Sequence, residues 1–167
     1  EKFGMPKENK MKSGDSININ FNSDLRENQK PVVKKFMEAA HSRGGGLISV
    51  PCGFGKTVLA LYLVAALKVK TLVIVHKEFL MDQWKERIEF FLPDAKVGKL
   101  QGDVVKIEGK DIVIGMLQSI SMRDYPGNIF DSFGFVIYDE CHHLGAEVFS
   151  RSLIKVNCRY TLGLSAT

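Results

Sequence analysis

A short glycine-rich run has the residue types for phosphate-binding chemistry. It follows an apolar run that ends at Val50 and consists of Pro51, Cys52, Gly53, Phe54, Gly55, Lys56 and Thr57. Between a strand and a helix such a run forms a P-loop, whose backbone N–H groups and helix dipole both point at an anion. We expect Lys56 to reach the β and γ phosphates of a nucleotide and the Thr57 hydroxyl to hold Mg²⁺. Taken alone, the run is also compatible with a Gly-rich turn that caps a helix.

Two carboxylates follow a second apolar run. Residues 135–138 are apolar and aromatic, and Asp139 and Glu140 come directly after them. We expect Asp139 to bind Mg²⁺ through a water molecule, and Glu140 to orient and deprotonate an attacking water. An acidic turn at a strand end has the same pattern, but its occurrence together with the P-loop favours hydrolysis of a phosphate bond.

Alternating strands and helices are needed to bring these motifs together. Apolar runs of strand length alternate with segments of helical spacing, which predicts a mostly parallel sheet covered on both faces, with ligands at the carboxyl ends of its strands. The predicted strands are 47–50, 71–75, 111–116, 133–138 and 160–164, and the predicted helices are 57–67, 78–92 and 146–156. A further helix is predicted after Ser23 or Asp24 and before Gly44, with Pro31 kinking or restarting it.

Composition bounds the class of protein. The chain has 167 residues, 45% of them hydrophobic and 25% charged, which predicts one globular domain. Three dispersed cysteines, Cys52, Cys141 and Cys158, disfavour a disulfide framework and favour the cytosol or nucleus. No apolar run approaches the roughly 18 residues of a membrane span, so we expect a soluble protein without membrane contact. The net charge of +4 suits a polyanionic partner.

The ends of the chain differ from its middle. Residues 1–16 are polar, lysine-rich and aperiodic, and we expect a mobile basic lead-in ahead of one domain over residues 17–167. The chain starts without methionine and stops at Thr167 within an apolar run. We therefore expect it to be part of a longer polypeptide.

Several motifs, in order along the chain, resemble those of superfamily-two helicases. The P-loop is similar to motif I, the Asp-Glu-Cys-His run at 139–142 to motif II, and Ser-Ala-Thr at 165–167 to motif III. Leu-Arg-x-x-Gln at 25–29 resembles the Q motif. Residues 75–84 look like motif Ia of the branch that contains XPB, the phage UvsW helicase and helicases of large DNA viruses. The resemblance runs from the Q motif to the last residue.

This resemblance implies a RecA-like P-loop NTPase fold, a three-layer α/β sandwich with a mostly parallel central sheet. It implies an ATPase that uses ATP and Mg²⁺, with Lys56, Asp139 and Glu140 as its catalytic residues. The implied partner is a DNA or RNA strand that is separated or translocated. A second RecA-like domain, absent from this chain, is implied as the other half of the motor, and the branch includes viral and phage proteins.

The resemblance also assigns residues around the two central motifs. Gln29 is implied to hydrogen-bond the adenine edge, a role that suits a primary amide because it pairs bidentately with adenine. Arg26 is implied to lie against the base or the ribose. Coupling of nucleotide state to the grip on the strand is implied for Cys141, His142, Ser165 and Thr167.

Loops at the strand ends are implied to contact nucleic-acid phosphates. The implied contacts are His76, Lys77, Gln83, Gln101, Gly102, Gln118 and Ser119. Polar loop residues of this kind are also compatible with plain solvation. Trp84, Phe90 and Phe91 would suit base stacking, but their place on an amphipathic helix favours core packing. The Cys-His-His run at 141–143 lacks the second ligand cluster of a zinc site.

Other functions are compatible with parts of this pattern. A duplex translocase, remodeller or nucleic-acid sensor would use ATP without separating strands. A P-loop kinase would need lid arginines and a small acceptor pocket, and no segment between residues 98 and 111 has that character. A vestigial interaction domain is disfavoured because the lysine, threonine and carboxylates of the two motifs are intact. Phosphate contacts do not distinguish DNA from RNA.

Overall fold

A seven-stranded sheet organises the domain. The structure, a computed structural model, describes residues 12–140 and 145–166. Within these ranges the strands are β1 (Gly45–Val50), β2 (Thr71–Val75), β3 (Val97–Gln101), β4 (Val104–Lys106), β5 (Ile112–Met116), β6 (Phe135–Asp139) and β7 (Tyr160–Ala166). The helices are α1 (Lys30–Arg43), α2 (Lys56–Leu67), α3 (Glu78–Phe91), α4 (Leu117–Met122) and α5 (Ala146–Val156). The strand order is β1-β7-β6-β2-β5-β3-β4. All neighbours are parallel except the antiparallel pair β3–β4, which confirms the mostly parallel sheet.

Helices cover both faces of this sheet. On one face α1, α2 and α3 pack against strand residues that include Val73, Ile114 and Ile137. On the other face α4 and α5 pack against strand residues that include Leu72 and Val136. The domain is therefore a three-layer α/β sandwich, as predicted.

The two-residue alternation of a strand decides which layer the end of β6 faces. Phe135 and Ile137 lie in the core beneath α1, α2 and α3, whereas Val136 and Tyr138 lie in the core beneath α4 and α5. Asp139 continues the first series and is buried. Its carboxylate therefore points into the layer that contains α2, the helix that follows the P-loop.

Three elements differ from the sequence prediction. Helix α1 begins at Lys30 rather than near Ser23 or Asp24, with Pro31 in its first turn. Proline is tolerated there because the first-turn N–H groups have no partner within the helix, so Pro31 starts this helix instead of kinking it. The hairpin of β3 and β4 and the short helix α4 were not predicted, because their lysine, glycine and hydroxyl residues interrupt the apolar pattern.

Residues 12–16 lie against the domain, unlike the mobile lead-in predicted for residues 1–16. Lys12 pairs with Cys158 in a parallel bridge, and the backbone N–H of Lys70 donates to the Asp15 carbonyl at 2.8 Å. Ser16 forms an antiparallel bridge with Val69. The remainder of the predicted lead-in, residues 1–11, falls outside the described residues. In the described part of the chain, none of the helices has the length and apolar character to cross a membrane.

Candidate functional site

The P-loop joins β1 to α2 and has the backbone conformation of an anion cradle. Gly53 and Gly55 have φ angles of 86° and 91°, in the left-handed region that favours glycine. Helix α2 begins at Lys56 without a side-chain cap and without an acidic residue in its first turn. Such a helix start is suited to an anion because its N–H groups and dipole are not already compensated by a side chain.

Arg26 and Gln29 hold this loop from the outside. Gln29 is buried; its Oε1 accepts from the backbone N–H of Arg26 at 2.8 Å, and its Nε2 donates to the Phe54 carbonyl at 2.8 Å. The guanidinium of Arg26 donates to the carbonyls of Phe54, at 2.5 Å, and Gly53, at 3.3 Å. The structure thus places both predicted adenine-binding residues against the P-loop backbone, so that each also supports the loop.

The two P-loop glycines provide a matched test of this support. A Cβ at Gly55 would lie 2.7 Å from Gln29 Nε2, whereas a Cβ at Gly53 would meet no atom within 4 Å. Both alanine variants should lose about 1–2 kcal/mol to the left-handed backbone. We expect Gly55→Ala to cost about 0.5–1.5 kcal/mol more than Gly53→Ala in chemical unfolding, because displacing the Gln29 amide disrupts its hydrogen bond to the Phe54 carbonyl.

In a Gln29→Ala background the clash is absent, and the two glycine variants should become equal in unfolding free energy. Equal costs in the wild-type background, or a difference that persists without Gln29, would contradict the role of Gln29 as a loop clamp.

Lys56 connects the P-loop to the two predicted catalytic carboxylates. Its Nζ lies 2.9 Å from Asp139 Oδ1 and 2.6 Å from Glu140 Oε2. The side chains are 25%, 6% and 18% exposed respectively, so the cluster is shielded from solvent. Burial lowers the pKa of Lys56, but the hydrogen bonds with Glu140 and Asp139 and the charges of both carboxylates outweigh it, leaving a pKa above the ordinary 10.5. Lys56 is therefore a cation throughout the neutral range.

Glu140 has a backbone conformation that is rare outside glycine. Its φ is 55°, in the left-handed region that is uncommon for residues other than glycine, and unlike Lys68 and Asn157 it does not cap the end of a helix. Its backbone N–H donates to the Leu164 carbonyl at 2.9 Å, and its Oε2 accepts from the backbone N–H of Ala166 at 2.7 Å. Glu140 is thus tied to the end of β7 at two points.

The structure describes one of the four predicted coupling residues, Ser165. The hydroxyl of Ser165 donates to the Ala166 carbonyl at 3.4 Å. Glu140 is linked to β7 through the backbone of both Leu164 and Ala166. These bonds could not be predicted from residue type, because every residue other than proline has the same backbone N–H and C=O groups. Cys141, His142 and Thr167 lie outside the described residues, as does the 141–143 run considered for zinc.

Trp84 is a site residue that the sequence prediction placed only in the core. It is buried with 2% exposure, as predicted, but its Nε1 also donates to Asp139 Oδ2 at 2.8 Å. The available signal was a tryptophan on the apolar face of a helix, since a buried indole N–H needs a hydrogen-bond partner. Phe90 is 66% exposed, so the predicted core packing is wrong for that residue; it lies at the outer edge of α3, against the ring of Phe91.

A cavity of about 540 Å³ opens beside these groups. Its lining includes Lys56, Thr57, Asp139 and Glu140 from the P-loop and acidic motifs, together with residues of α3 and of the loop before it. A hydroxyl and a carboxylate are oxygen ligands of the kind that Mg²⁺ prefers. The lysine and the uncapped helix start suit phosphate, so the residues present fit a magnesium nucleotide.

The predicted nucleic-acid contacts, apart from Gln83 within α3, lie at the carboxyl ends of β2, β5 and β3, neighbouring strands of the sheet. Lys77 and Gln83 are exposed and line the same cavity. The amide of Gln118 donates to the His76 carbonyl at 3.4 Å, which joins two of the predicted loops.

Two of the residues predicted to contact nucleic acid, Gly102 and Ser119, form a hydrogen bond with each other. The backbone N–H of Gly102 donates to Ser119 Oγ at 2.9 Å, and the Gly102 carbonyl accepts from the hydroxyl of Tyr125 at 2.8 Å. Gln101 precedes this turn and is half-buried. Gly102 and Ser119 therefore fix the loop between β3 and β4 beside the other contacts.

Comparison with protein-family models gives one match over nearly the whole domain. A family described as "Type III restriction enzyme, res subunit" (ResIII) matches residues 22–167. The match begins just before the Q motif and includes the P-loop, the acidic motif and the end of β7. It covers far more than half of the chain.

Curated proteins similar to this chain include viral and archaeal ones. The L396 protein of Acanthamoeba polyphaga mimivirus, an ATP-dependent RNA helicase by name, is 38% identical over 148 residues, which cover 89% of this chain and 28% of L396. The DNA 3'-5' translocase XPB2 of Sulfurisphaera tokodaii is 35% identical over 144 residues, 86% of this chain and 31% of XPB2. The chain thus spans less than a third of the length of either relative.

Solved structures share the fold at lower identity. The SWI2/SNF2 ATPase core of Sulfolobus solfataricus, solved in complex with dsDNA, has a TM-score of 0.74 at 17% identity, covering 94% of this chain and 34% of that one. The UvsW helicase of bacteriophage T4 has a TM-score of 0.69 at 21% identity, covering 90% of this chain and 55% of that one. At these identities the likeness establishes the RecA-like α/β architecture.

Proposed function

We infer from the matches that the chain belongs to the ResIII family and is the ATPase domain of a superfamily-two helicase. On this premise we propose that it binds ATP with Mg²⁺ at the P-loop and that its hydrolysis of ATP depends on a nucleic-acid strand. The observation that carries this proposal is the contact of Lys56 with both Asp139 and Glu140 in one cavity with Thr57. These residues combine a mobile cation, two oxygen ligands for a metal and a base, the groups that phosphate transfer to water requires.

Nucleotide binding would rearrange the lysine. Lys56 pairs with both carboxylates in the structure. With phosphates in the cradle of the P-loop, the lysine would turn to them and the carboxylates would be left to face the metal side of the cavity. Mg²⁺ held by Thr57 and, through water, by Asp139 would supply the remaining charge neutralisation.

Hydrolysis is then assigned to Glu140. Its carboxylate, held through Oε2 by the backbone of Ala166, orients a water and accepts its proton. Because Glu140 is bonded to both Leu164 and Ala166, a change at the γ-phosphate would reach the end of β7. We assign coupling to this connection together with Ser165, Thr167, Cys141 and His142, and adenine recognition to Arg26 and Gln29.

The nucleic acid is assigned to the loops after β2, β3 and β5, which lie beside the nucleotide cavity. Lys77 is the exposed cation among the predicted contacts. A lysine that contacts phosphate contributes sequence-independent affinity and one released counterion, so its effect depends on salt.

Lys77→Ala should therefore weaken binding of an oligonucleotide of any sequence and reduce the slope of log affinity against log salt by about 1. The measurement is fluorescence anisotropy at several salt concentrations, with DNA and RNA oligonucleotides in parallel. The matched control is Lys35→Ala, an exposed lysine of α1, which packs beside the opposite edge of the sheet. Equal salt slopes for wild type and Lys77→Ala would contradict the assignment of this loop.

The dependence of ATP hydrolysis on nucleic acid is tested by measuring Mg²⁺-dependent ATP turnover with and without an oligonucleotide.

Strand separation is proposed to need a second RecA-like domain, since a cleft that opens and closes requires two walls. This chain alone should bind and slowly hydrolyse ATP without displacing a strand. In a longer polypeptide, strand displacement would identify a helicase, whereas duplex-stimulated turnover without displacement would identify a translocase, remodeller or sensor. Unwinding by this domain alone would contradict the two-domain proposal.

A further inference from the structure

The inner face of α3 contains one polar atom in an otherwise apolar row. Met81, Trp84 and Ile88 are its buried residues, at the spacing of one helix face. Methionine and isoleucine present only apolar atoms to the core, but tryptophan adds an indole N–H. A hydrogen-bond donor buried in this position is costly unless it has a partner.

That partner is the carboxylate proposed to hold Mg²⁺. Trp84 Nε1 lies 2.8 Å from Asp139 Oδ2, and Lys56 Nζ lies 2.9 Å from Oδ1 of the same carboxylate. One oxygen is thus fixed from α3 and the other faces the lysine and the cavity. Two anchors on different oxygens determine the rotation of the carboxylate about its Cβ–Cγ bond.

The chemical type of the donor matters for a metal site. An arginine or lysine in place of the indole would bring a positive charge that competes with a cation for Asp139. The indole N–H is neutral, so it fixes the orientation of the carboxylate and leaves its negative charge available. Hydrogen bonds of this kind to metal-binding side chains commonly change metal affinity by about 10- to 100-fold.

We propose that Trp84 is a positioning residue for Mg²⁺: its indole holds Oδ2 of Asp139 so that Oδ1 faces the metal side of the cavity. This inference rests on the proposed function, because it presupposes Mg²⁺ at Asp139. If Lys56 turned to the phosphates, the indole would remain on the carboxylate. Asp139 is then already oriented before the metal arrives.

The test compares two substitutions on the same face of α3. Trp84→Phe removes the N–H and keeps an aromatic ring, whereas Ile88→Val, one turn further along, removes a methyl group and touches no hydrogen bond. Both are expected to lower the unfolding temperature, and Trp84→Phe more than Ile88→Val, because it leaves a larger cavity and removes a buried hydrogen bond to a carboxylate. The Mg²⁺ concentration for half-maximal binding of a fluorescent ATP analogue should rise by up to about 10-fold in Trp84→Phe, the lower end of the range for direct ligands, because Asp139 holds Mg²⁺ through water. It should stay at the wild-type value in Ile88→Val, and analogue binding in EDTA should be the same in all three proteins.

An unchanged Mg²⁺ requirement in Trp84→Phe, or the same rise in Ile88→Val, overturns the proposal. These outcomes are distinguishable from failure of the proposed function, in which the wild-type chain itself would show no Mg²⁺-dependent nucleotide binding.

A second measurement uses the wild-type chain and does not depend on the folding of a variant. Trp84 is the single tryptophan, so the ¹H–¹⁵N spectrum contains one indole cross-peak. Adding Mg²⁺ to the chain saturated with ATP analogue in EDTA should move that cross-peak, and adding Mg²⁺ without nucleotide should move it less. A cross-peak that stays in place while Mg²⁺ binds overturns the proposal.

Discussion

Glu140→Gln is expected to bind ATP and Mg²⁺ normally and to lose turnover. The amide has nearly the size of the carboxylate and can still accept the N–H of Ala166, which contacts Oε2 in the wild type. It cannot accept a proton from water, so the general-base contribution, about 10² to 10⁴-fold, is lost. The measurement is single-turnover hydrolysis with protein in excess over ATP, which separates chemistry from binding.

A carboxylate elsewhere on the domain provides the control for this variant. Glu147 is exposed on α5, where it pairs with Arg151 at 3.3 Å. Glu147→Gln makes the same chemical change away from the P-loop and should hydrolyse ATP at the wild-type rate. A Glu140→Gln protein that keeps the wild-type rate would show that Glu140 is not the base.

Lys56→Ala is expected to weaken nucleotide binding by at least about 100-fold. Charge-assisted hydrogen bonds contribute about 1.5–3 kcal/mol each, and the lysine would make them to more than one phosphate. The measurement is titration with a fluorescent ATP analogue, with Lys34→Ala on α1 as the control lysine. Unchanged affinity in Lys56→Ala would contradict the P-loop assignment.

The unfolding temperature of Lys56→Ala should depend on Mg²⁺ more strongly than that of the wild type. Without Lys56, Asp139 and Glu140 face each other without the cation that the structure places between them. The variant should therefore unfold at a lower temperature than wild type. Mg²⁺ alone should raise that temperature more in the variant than in wild type, because a cation that binds only the folded form stabilises it by mass action. No difference in this response would argue against a cation site at Asp139.

The sequence predicts the central strands well and the edge of the sheet poorly. Strand β2 and helix α5 have the predicted bounds, since β2 is buried on both faces and α5 has a clear helical period. The hairpin of β3 and β4 is different. Gly98 is required there because a Cβ would lie 2.0 Å from the Lys106 carbonyl of the paired strand. That constraint comes from a neighbouring backbone, which no local pattern reveals.

In the candidate site, too, some residues are predicted from the sequence and others are not. Lys56, Thr57, Asp139 and Glu140 follow from motifs in which residue type and spacing are themselves the chemical requirement. The contact of Trp84 with Asp139 joins residues 55 positions apart, and the bond of Ala166 to Glu140 uses only backbone. Both contacts depend on which strands are neighbours in the sheet and on which side of the sheet each side chain lies. Sequence therefore predicts the reacting groups, and the fold is needed for the groups that orient them.

Two cysteines allow a direct test of the central claim, that the P-loop binds a magnesium nucleotide. Cys52 lies in the P-loop and is exposed. Cys158 is buried against the Phe133 carbonyl, and burial raises the pKa of its thiol to about 12, so it should resist alkylation as an internal reference.

The decisive measurement is the rate at which iodoacetamide alkylates Cys52, followed by mass spectrometry of the peptide that contains it. Saturating ATP with Mg²⁺ should slow this rate about 10-fold when the ligand is ten times its dissociation constant, since only the open fraction reacts. Cys158 should stay unmodified with and without ligand. Alkylation of Cys52 at the same rate in the presence and absence of ATP and Mg²⁺ would contradict nucleotide binding at the P-loop.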